Sequence, residues 1–151
     1  QGLSAAVGMA LAAKIDRNPA TIYCFIGDGE SQEGQIWEAS MFAGSRKLDN
    51  LIVLLDSNRM QLDGPVESIN GLEPIVDKWK AFNFFVQDVD GHDISAISDA
   101  IDAAKAQHEK PSMIVLRTVK GKGASFTEGV ANCHSMSVPE EVWRKETGRY
   151  E

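Results

Sequence analysis

Two side chains suited to binding a hard metal ion follow two short apolar runs. Asp28 comes just after Tyr23-Cys24-Phe25-Ile26, and Asn58 comes just after Leu51-Ile52-Val53-Leu54-Leu55. Carboxylate and amide oxygens favour Mg²⁺ or Ca²⁺ over softer metals. The glycines on either side of Asp28 let the backbone turn sharply and approach a ligand closely. Since a Mg²⁺ ion held by few protein groups completes its shell with water and phosphate oxygens, these residues indicate a metal site for a diphosphate. The alternative for Gly-Asp-Gly taken alone is a plain turn.

The apolar runs are typical of buried strands, and the residues between them are typical of a helix. Apolar and small residues recur there at helical spacing, at Ile36, Trp37, Ser40, Met41 and Gly44. Strand, helix and strand form the βαβ unit of a parallel sheet, in which ligands bind at the carboxyl ends of the strands. The sequence therefore predicts an α/β fold, a mostly parallel sheet with helices on both faces, with Asp28 and Asn58 at one edge.

The rest of the chain extends the same alternation of helices and strands. An apolar stripe predicts a first helix that ends before Asn18-Pro19. Its members are Leu3, Val7, Ala10, Leu11 and Ile15. Ser31 is the predicted N-cap of the helix that begins at Glu30, and residues 59–65 form a predicted loop. Two strands are predicted further along, at 82–86 and at 112–119. The first is preceded by a helix face at Leu72, Ile75, Val76 and Trp79 and followed by a helix that Asp93 caps, with Ile94, Ile97, Ile101 and Ala104 on one face. The last predicted helix begins with a Ser137–Glu140 capping box and ends at Gly148.

Composition excludes several classes of protein. The chain has 151 residues, of which 43% are hydrophobic and 25% charged, which is typical of one globular domain spanning residues 1–151. A net charge of −7 argues against a nucleic-acid-binding surface. No apolar run approaches the length of a membrane span. Cys24 and Cys133 do not make a disulfide framework, so we expect a protein of the reducing cytoplasm.

Residues 27–39, Gly-Asp-Gly-Glu-Ser-Gln-Glu-Gly-Gln-Ile-Trp-Glu-Ala, resemble the thiamine-diphosphate motif of transketolases. That motif opens with Gly-Asp-Gly and closes about thirty residues later with Asn, and here Asn58 lies 30 residues after Asp28. Residues 56–64, Asp-Ser-Asn-Arg-Met-Gln-Leu-Asp-Gly, resemble the continuation of the family sequence. The resemblance extends from Gln1 to about His134 and is closest to the amino-terminal subunit of split bacterial transketolases. It implies the thiamine-diphosphate-binding fold, in its diphosphate-binding (PP-type) form.

The resemblance also assigns roles to single residues. It implies that Asp28, Asn58 and the backbone carbonyl of Met60 hold Mg²⁺, for which Ca²⁺ can substitute. The Gly29 amide would meet the cofactor diphosphate, and Leu62 would contact the cofactor rings or, alternatively, pack as an ordinary loop residue. His134 would contact the diphosphate and assist the reacting substrate, although Ser135 replaces the glycine that usually follows this histidine. Glu33 and Glu38 would lie near the subunit interface, although acidic residues early in a helix also suit its dipole.

The activity that the resemblance implies is transfer of a two-carbon ketol unit from a ketose phosphate to an aldose phosphate. The cofactor performs the chemistry and lies between this domain and a pyrimidine-binding domain on a carboxy-terminal subunit, in a homodimeric or heterotetrameric assembly. That second domain supplies the activating glutamate, so we expect the isolated chain to be inactive. The family segment that precedes Gln1 carries cofactor-contacting histidines, so we expect the sequence to be a fragment.

Two other functions remain open from the sequence. Other thiamine-diphosphate enzymes, such as deoxyxylulose-phosphate synthase or 2-oxo acid dehydrogenase components, share the Gly-Asp-Gly frame. A non-catalytic scaffold subunit would keep the fold without binding the cofactor. The acidic turn at 88–93 is interpreted as structural, with His92 as a turn residue and not a catalyst.

Overall fold

A four-stranded parallel sheet forms the centre of the protein. The structure is a computed structural model that describes residues 1–148, with only the backbone described at Ala131. The strands are β1 (Ile22–Gly27), β2 (Leu51–Ser57), β5 (Phe85–Asp90) and β6 (Ser112–Arg117), in the spatial order β1-β2-β6-β5. Every pairing among them is parallel. A short antiparallel pair, β3 (Met60–Gln61) and β4 (Gly64–Pro65), follows β2.

Helices cover both faces of this sheet, which confirms the predicted fold class. The helices are α1 (Gly2–Ile15), α2 (Gly34–Ser45), α3 (Val66–Ile69), α4 (Ile75–Ala81), α5 (Ile94–Ala106) and α6 (Glu140–Thr147), with 3₁₀ turns at Glu30–Gln32 and Ala131–Cys133. One core cluster joins α1, α2 and α4 to one sheet face and includes Leu3, Val7, Ile36, Val53, Leu55, Trp79 and Met113. A second cluster joins α5 to the opposite face and includes Ile52, Leu54, Ala100, Ala104, Ile114 and Leu116.

The two central strands explain why the sequence showed continuous apolar runs. Residues 51–55 of β2 and 112–116 of β6 are buried throughout, because these strands have neighbours on both edges and helices on both faces. The apolar run at 23–26, predicted to be a buried strand, is buried only in part because β1 is an edge strand: Cys24 and Ile26 are buried, but Tyr23 and Phe25 are exposed. No helix among residues 1–148 is long and apolar enough to cross a membrane.

An aromatic cluster explains why β5 begins later than the strand predicted at 82–86. The strand begins at Phe85, not at Phe82 as predicted. Phe82 packs against Trp37 with ring centroids 5.7 Å apart, and Phe84 packs edge-on against Trp79 at 5.1 Å. The first phenylalanines of the run therefore belong to the core between α2 and α4. Gly44 permits this close packing, since a Cβ there would overlap the Phe82 carbonyl.

Two predicted helix starts are wrong for local reasons. Ser31 does not cap a helix, because its hydroxyl donates to the Gly27 carbonyl at 2.8 Å within a 3₁₀ turn, and α2 begins only at Gly34. Ser137 does not cap α6 either, because Pro139 occupies the N-cap position and no side chain caps this helix. The predicted cap of α5 is confirmed: Asp93 Oδ1 accepts hydrogen bonds from the backbone of Ser95 at 2.9 Å and Ala96 at 3.1 Å.

Several further boundaries and burial expectations need correction. The predicted loop at 59–65 contains the strands β3 and β4, and β6 ends at Arg117, before the predicted Val119. Leu72 is buried but lies before α4. Ile15 and Ile94, expected on buried helix faces, are 71% and 78% exposed because they lie at helix ends beyond the edge of the core. The last three residues of the predicted domain, 149–151, lie outside the described part of the chain.

Candidate active site

A cleft of about 700 Å³ opens at the carboxyl ends of the parallel strands. The pairing register aligns these ends, since Gly27 is opposite Asp56 and Asp56 is opposite Leu116. The lining includes every residue predicted to contact the cofactor or metal, namely Asp28, Gly29, Asn58, Met60, Leu62 and His134. The structure therefore brings together groups that are spread over more than a hundred residues of sequence.

Asp28 is a buried carboxylate at the base of this cleft. It is 5% exposed, and its Oδ2 accepts a hydrogen bond from the backbone N–H of Arg59 at 2.5 Å. Burial, with a smaller contribution from the charge of Asp56, raises the pKa of Asp28 to about 6 against the opposing effect of the Arg59 hydrogen bond. None of the ion pairs within residues 1–148 includes Asp28. A buried carboxylate of this kind is stabilised when a cation binds beside it.

The chain turns sharply between Asn58 and Met60. Arg59 adopts a φ of 62°, in the left-handed region that non-glycine residues rarely occupy. Such strain is typical of functional loops whose surroundings fix the backbone. The turn is closed by the side-chain oxygen of Asn58, which accepts a hydrogen bond from the Met60 N–H at 2.9 Å. β3 continues from this turn, and Gln61 Oε1 accepts a hydrogen bond from Gln32 Nε2 at 2.6 Å.

Three oxygen-bearing groups in this part of the cleft suit a hard divalent cation. The Asp28 carboxylate, the Asn58 amide oxygen and the Met60 carbonyl are all oxygen ligands, and the Arg59 contact holds Asp28 against the Asn58–Met60 turn. No group of three or more His, Cys, Asp or Glu side chains in the described chain is placed to hold a metal. The predicted ligand set contains one carboxylate, one amide oxygen and one backbone carbonyl. The site therefore fits Mg²⁺, which needs few protein ligands when a diphosphate supplies others.

The far wall of the cleft is formed by the segment after β6. Thr118, Val119, Lys120 and Gly121 line the cleft there, so this segment includes a basic residue, Lys120. His92 Nε2 accepts a hydrogen bond from the Val119 N–H at 2.8 Å. This contact gives His92 the structural role that its turn position indicated. It also leaves the ring proton on Nδ1.

The other predicted residues differ in exposure. His134 is exposed and lines the cleft next to the 3₁₀ turn Ala131–Cys133. Leu62 is 66% exposed, so it is available to a ligand, and its contact with the cofactor rings stays a prediction. Glu33 and Glu38 are exposed, with Glu33 at the N-cap of α2, and they do not line the cleft. Their interface role stays a prediction.

Asp56, His92 and Thr118 line the cleft without having been predicted as site residues. Asp56 and Thr118 lie at the ends of β2 and β6, so the rule that placed Asp28 and Asn58 would also have placed them. The sequence could not predict the hydrogen bond between Asp56 and Thr118, because it does not show that β2 and β6 are neighbours in the sheet.

The comparison with protein families covers almost the whole chain. Residues 1–149 match the family described as "Transketolase, thiamine diphosphate binding domain". The chain belongs to the transketolase family. This membership confirms the resemblance found in the sequence.

Individual transketolases are similar to the chain in sequence and in structure. The 6-deoxy-6-sulfo-D-fructose transketolase subunit SqwG of Clostridium sp. (strain MSTE9) is 58% identical over 95% of the chain and 52% of that protein. An apulose-4-phosphate transketolase subunit of Phocaeicola vulgatus is 41% identical over 88% of the chain and 47% of that protein. The transketolase crystal structure from Campylobacter jejuni matches with a TM-score of 0.91 and 37% identity over 98% of the chain and 24% of that structure. The chain thus spans about half the length of these subunit relatives.

Proposed function

We propose that the chain is the thiamine-diphosphate-binding part of a split transketolase and acts with a carboxy-terminal partner subunit. The observation that carries this proposal is the buried Asp28 carboxylate, which has no ion-pair partner among residues 1–148 and lies against the Asn58–Met60 turn. Two of the relatives are named as transketolase subunits, which supports division of the enzyme between two chains.

Each group in the cleft has a distinct task in this proposal. Asp28, Asn58 and the Met60 carbonyl hold Mg²⁺, and the Gly29 N–H and Lys120 meet the diphosphate. Leu62 covers the cofactor rings, and His134 contacts the phosphate groups or moves a proton at the substrate. When bound, thiamine diphosphate supplies the carbon nucleophile that accepts the two-carbon unit. The protein supplies orientation and charge.

The cofactor site is tested by titrating thiamine diphosphate into the chain in a calorimeter, with and without Mg²⁺. We expect binding that requires Mg²⁺ and is lost in Asp28→Ala, because the variant lacks the only carboxylate among the proposed ligands. Asp63→Ala is the matched control, since Asp63 is an exposed acid between β3 and β4 that does not line the cleft. Absence of binding even with the partner subunit present would contradict the proposal and favour a scaffold subunit.

The reaction is tested on the chain with and without a carboxy-terminal transketolase subunit. We expect no turnover of ketose and aldose phosphates by the isolated chain and turnover after the partner is added. Activity of the isolated chain would contradict the division of the site between subunits. Turnover of pyruvate without ketol transfer would instead indicate another class of thiamine-diphosphate enzyme.

The substrate proposal rests on the SqwG relative. We propose a ketose that carries an anionic group at its far end, with 6-deoxy-6-sulfo-D-fructose as the first substrate to test. The matched substrate is fructose 6-phosphate, which differs in the anion at C6. A higher kcat/KM for the sulfonate would support the sulfonate as substrate, turnover of the phosphate alone would overturn that assignment, and turnover of neither would overturn the anionic ketose.

A further inference from the structure

Asp56 contacts the proposed metal ligand Asn58 but is not itself one of the ligands. It is the penultimate residue of β2, it is partly buried, and it lines the cleft. One carboxylate oxygen, Oδ2, accepts a hydrogen bond from Asn58 Nδ2 at 3.0 Å. The other, Oδ1, accepts a short hydrogen bond from the hydroxyl of Thr118, the first residue after β6. The carboxylate is therefore held from two sides, by a neighbouring strand end and by the amide it contacts.

These contacts allow only one orientation of the Asn58 amide. An amide has an N–H₂ end and an oxygen end of similar shape but opposite hydrogen-bonding character. The Asp56 carboxylate only accepts hydrogen bonds, so the N–H₂ end of Asn58 must face it. The Met60 N–H only donates, so the oxygen end must face the turn. Both partners demand the same orientation, and in it the amide oxygen is directed away from Asp56.

Thr118 holds the Asp56 carboxylate in place, and Asp56 in turn orients the Asn58 amide. Its hydroxyl binds Asp56, and its backbone N–H donates to the Ser57 carbonyl at 3.3 Å, which ties the end of β6 to the end of β2. Gly91 lies against Thr118 from the other side, where a Cβ would overlap the Thr118 methyl group. The Thr118 side chain is therefore confined by the turn after β5 and by Asp56.

We propose that Asp56 and Thr118 are positioning residues, which lock the Asn58 amide with its oxygen towards the cation site. This inference rests on the proposed magnesium site and names two residues that act on that site through Asn58. Without them only the Met60 N–H orients the amide, which can then rotate more readily and present its N–H₂ group, which repels a cation. Partners that orient a metal ligand typically contribute about 10- to 100-fold to metal affinity.

The experiment measures the Mg²⁺ concentration that supports thiamine-diphosphate binding to the full chain with its partner subunit. We expect Asp56→Ala to raise that concentration roughly 10- to 100-fold. Thr118→Val removes the hydroxyl without changing charge and should raise it several-fold, whereas Thr118→Ser keeps the hydroxyl and should bind Mg²⁺ as the wild type does. Thermal unfolding without Mg²⁺ or cofactor is measured for every variant. If Asp56→Ala fails to fold, the threonine pair decides.

A double variant separates orientation from a general effect on the fold. The carboxylate introduced by Asn58→Asp has an oxygen at both ends, so its orientation no longer matters. Adding Asn58→Asp to Asp56→Ala should recover most of the lost Mg²⁺ affinity while keeping the net charge of the wild type. Lack of recovery in a folded protein, or equal Mg²⁺ affinity of Thr118→Val and Thr118→Ser, would overturn the positioning role. A wild type that binds no cofactor with Mg²⁺ would overturn the metal site itself, which is a distinguishable failure.

Discussion

The buried Asp28 carboxylate makes the metal-free chain less stable than it could be at neutral pH. Its pKa is raised from 3.8 to about 6 in the folded state, so the folded chain binds a proton more tightly than the unfolded chain does. The stability that this preference provides is complete below about pH 4 and is lost as the pH rises through about 6. At pH 7 the charged, buried Asp28 carboxylate therefore lowers the free energy of unfolding, and a bound cation would offset this loss.

Asp28→Asn should therefore stabilise the metal-free chain at pH 7 by about 1–3 kcal/mol, since one pKa unit corresponds to about 1.4 kcal/mol. The asparagine keeps an oxygen for the Arg59 N–H and removes the buried charge. The check is urea unfolding without Mg²⁺ at pH 5 and pH 7, where the gain should be larger at pH 7. The same variant should lose Mg²⁺-dependent cofactor binding.

Asp49→Asn is the control of opposite sign. The Lys14 ammonium lies 2.5 Å from the Asp49 carboxylate, the Glu109 N–H donates to it, and together they outweigh the opposing effect of burial and lower the pKa of Asp49. Its stabilising effect is present at neutral pH and is lost as the pH falls through the lowered pKa. Asp49→Asn should thus destabilise the chain at pH 7. If Asp28→Asn also destabilised it there, the account of Asp28 as an uncompensated buried charge would be wrong.

At the scale of elements, the turn after β5 anchors the segment that forms the far wall of the cleft. His92 Nε2 accepts from the Val119 N–H at 2.8 Å, the His92 N–H donates to Asp90 Oδ1 at 2.9 Å, and the Gly91 N–H donates to the Arg117 carbonyl at 2.9 Å. The turn and the segment at the end of β6 are thus joined by two hydrogen bonds, one to the His92 ring and one between backbone groups. Removing the His92 imidazole removes the hydrogen bond to the Val119 N–H, which is the one nearer to the cleft.

His92→Ala should loosen residues 118–129 without unfolding the sheet. We expect faster amide exchange in peptides from this segment, unchanged exchange in peptides from β2 and β6, and a several-fold weaker cofactor affinity. His92→Gln is the matched variant, because its side-chain oxygen can still accept a hydrogen bond and should preserve much of the protection. Equal exchange in wild type and His92→Ala would show that the segment is held by other contacts.

The elements also show which parts of the fold and site the sequence could predict. Asp28 and Asn58 were predictable because each follows an apolar run, and the ends of parallel strands meet at one edge. The start of α2 was not, because Ser31 binds Gly27 instead of capping a helix. The strand at Phe85 was misplaced because Phe82 and Phe84 pack with tryptophans from other elements. The Asp56–Thr118 contact depends on the β2–β6 neighbourhood, which only the folded chain shows.

For the molecule as a whole, an exposed aromatic surface lies on the sheet at β1. α5 covers β2 and β6 on this face, where Ile52 and Leu54 are buried, but their partners Tyr23 and Phe25 on β1 are 44% and 67% exposed. β1 has one neighbour in the four-stranded sheet, and no strand among residues 1–148 pairs with its other edge. Two bare aromatic side chains on an edge strand favour association with further protein surface.

Replacing both aromatics, Tyr23→Ser and Phe25→Ser, should lower self-association of the isolated chain while costing little stability, because little buried area is lost. Sedimentation velocity over a range of concentrations and binding of an apolar dye provide the measurements. Met9→Ser is the matched control, since Met9 is 59% exposed and belongs to α1, which packs on the opposite face of the sheet with Cys24 and Ile26. If the control lowered association as much as the double variant, general surface hydrophobicity would explain the effect. If only the double variant did so, the β1 face would be the surface that a larger assembly covers, and the opening of the cleft beside Phe25 would lie at the border of that contact.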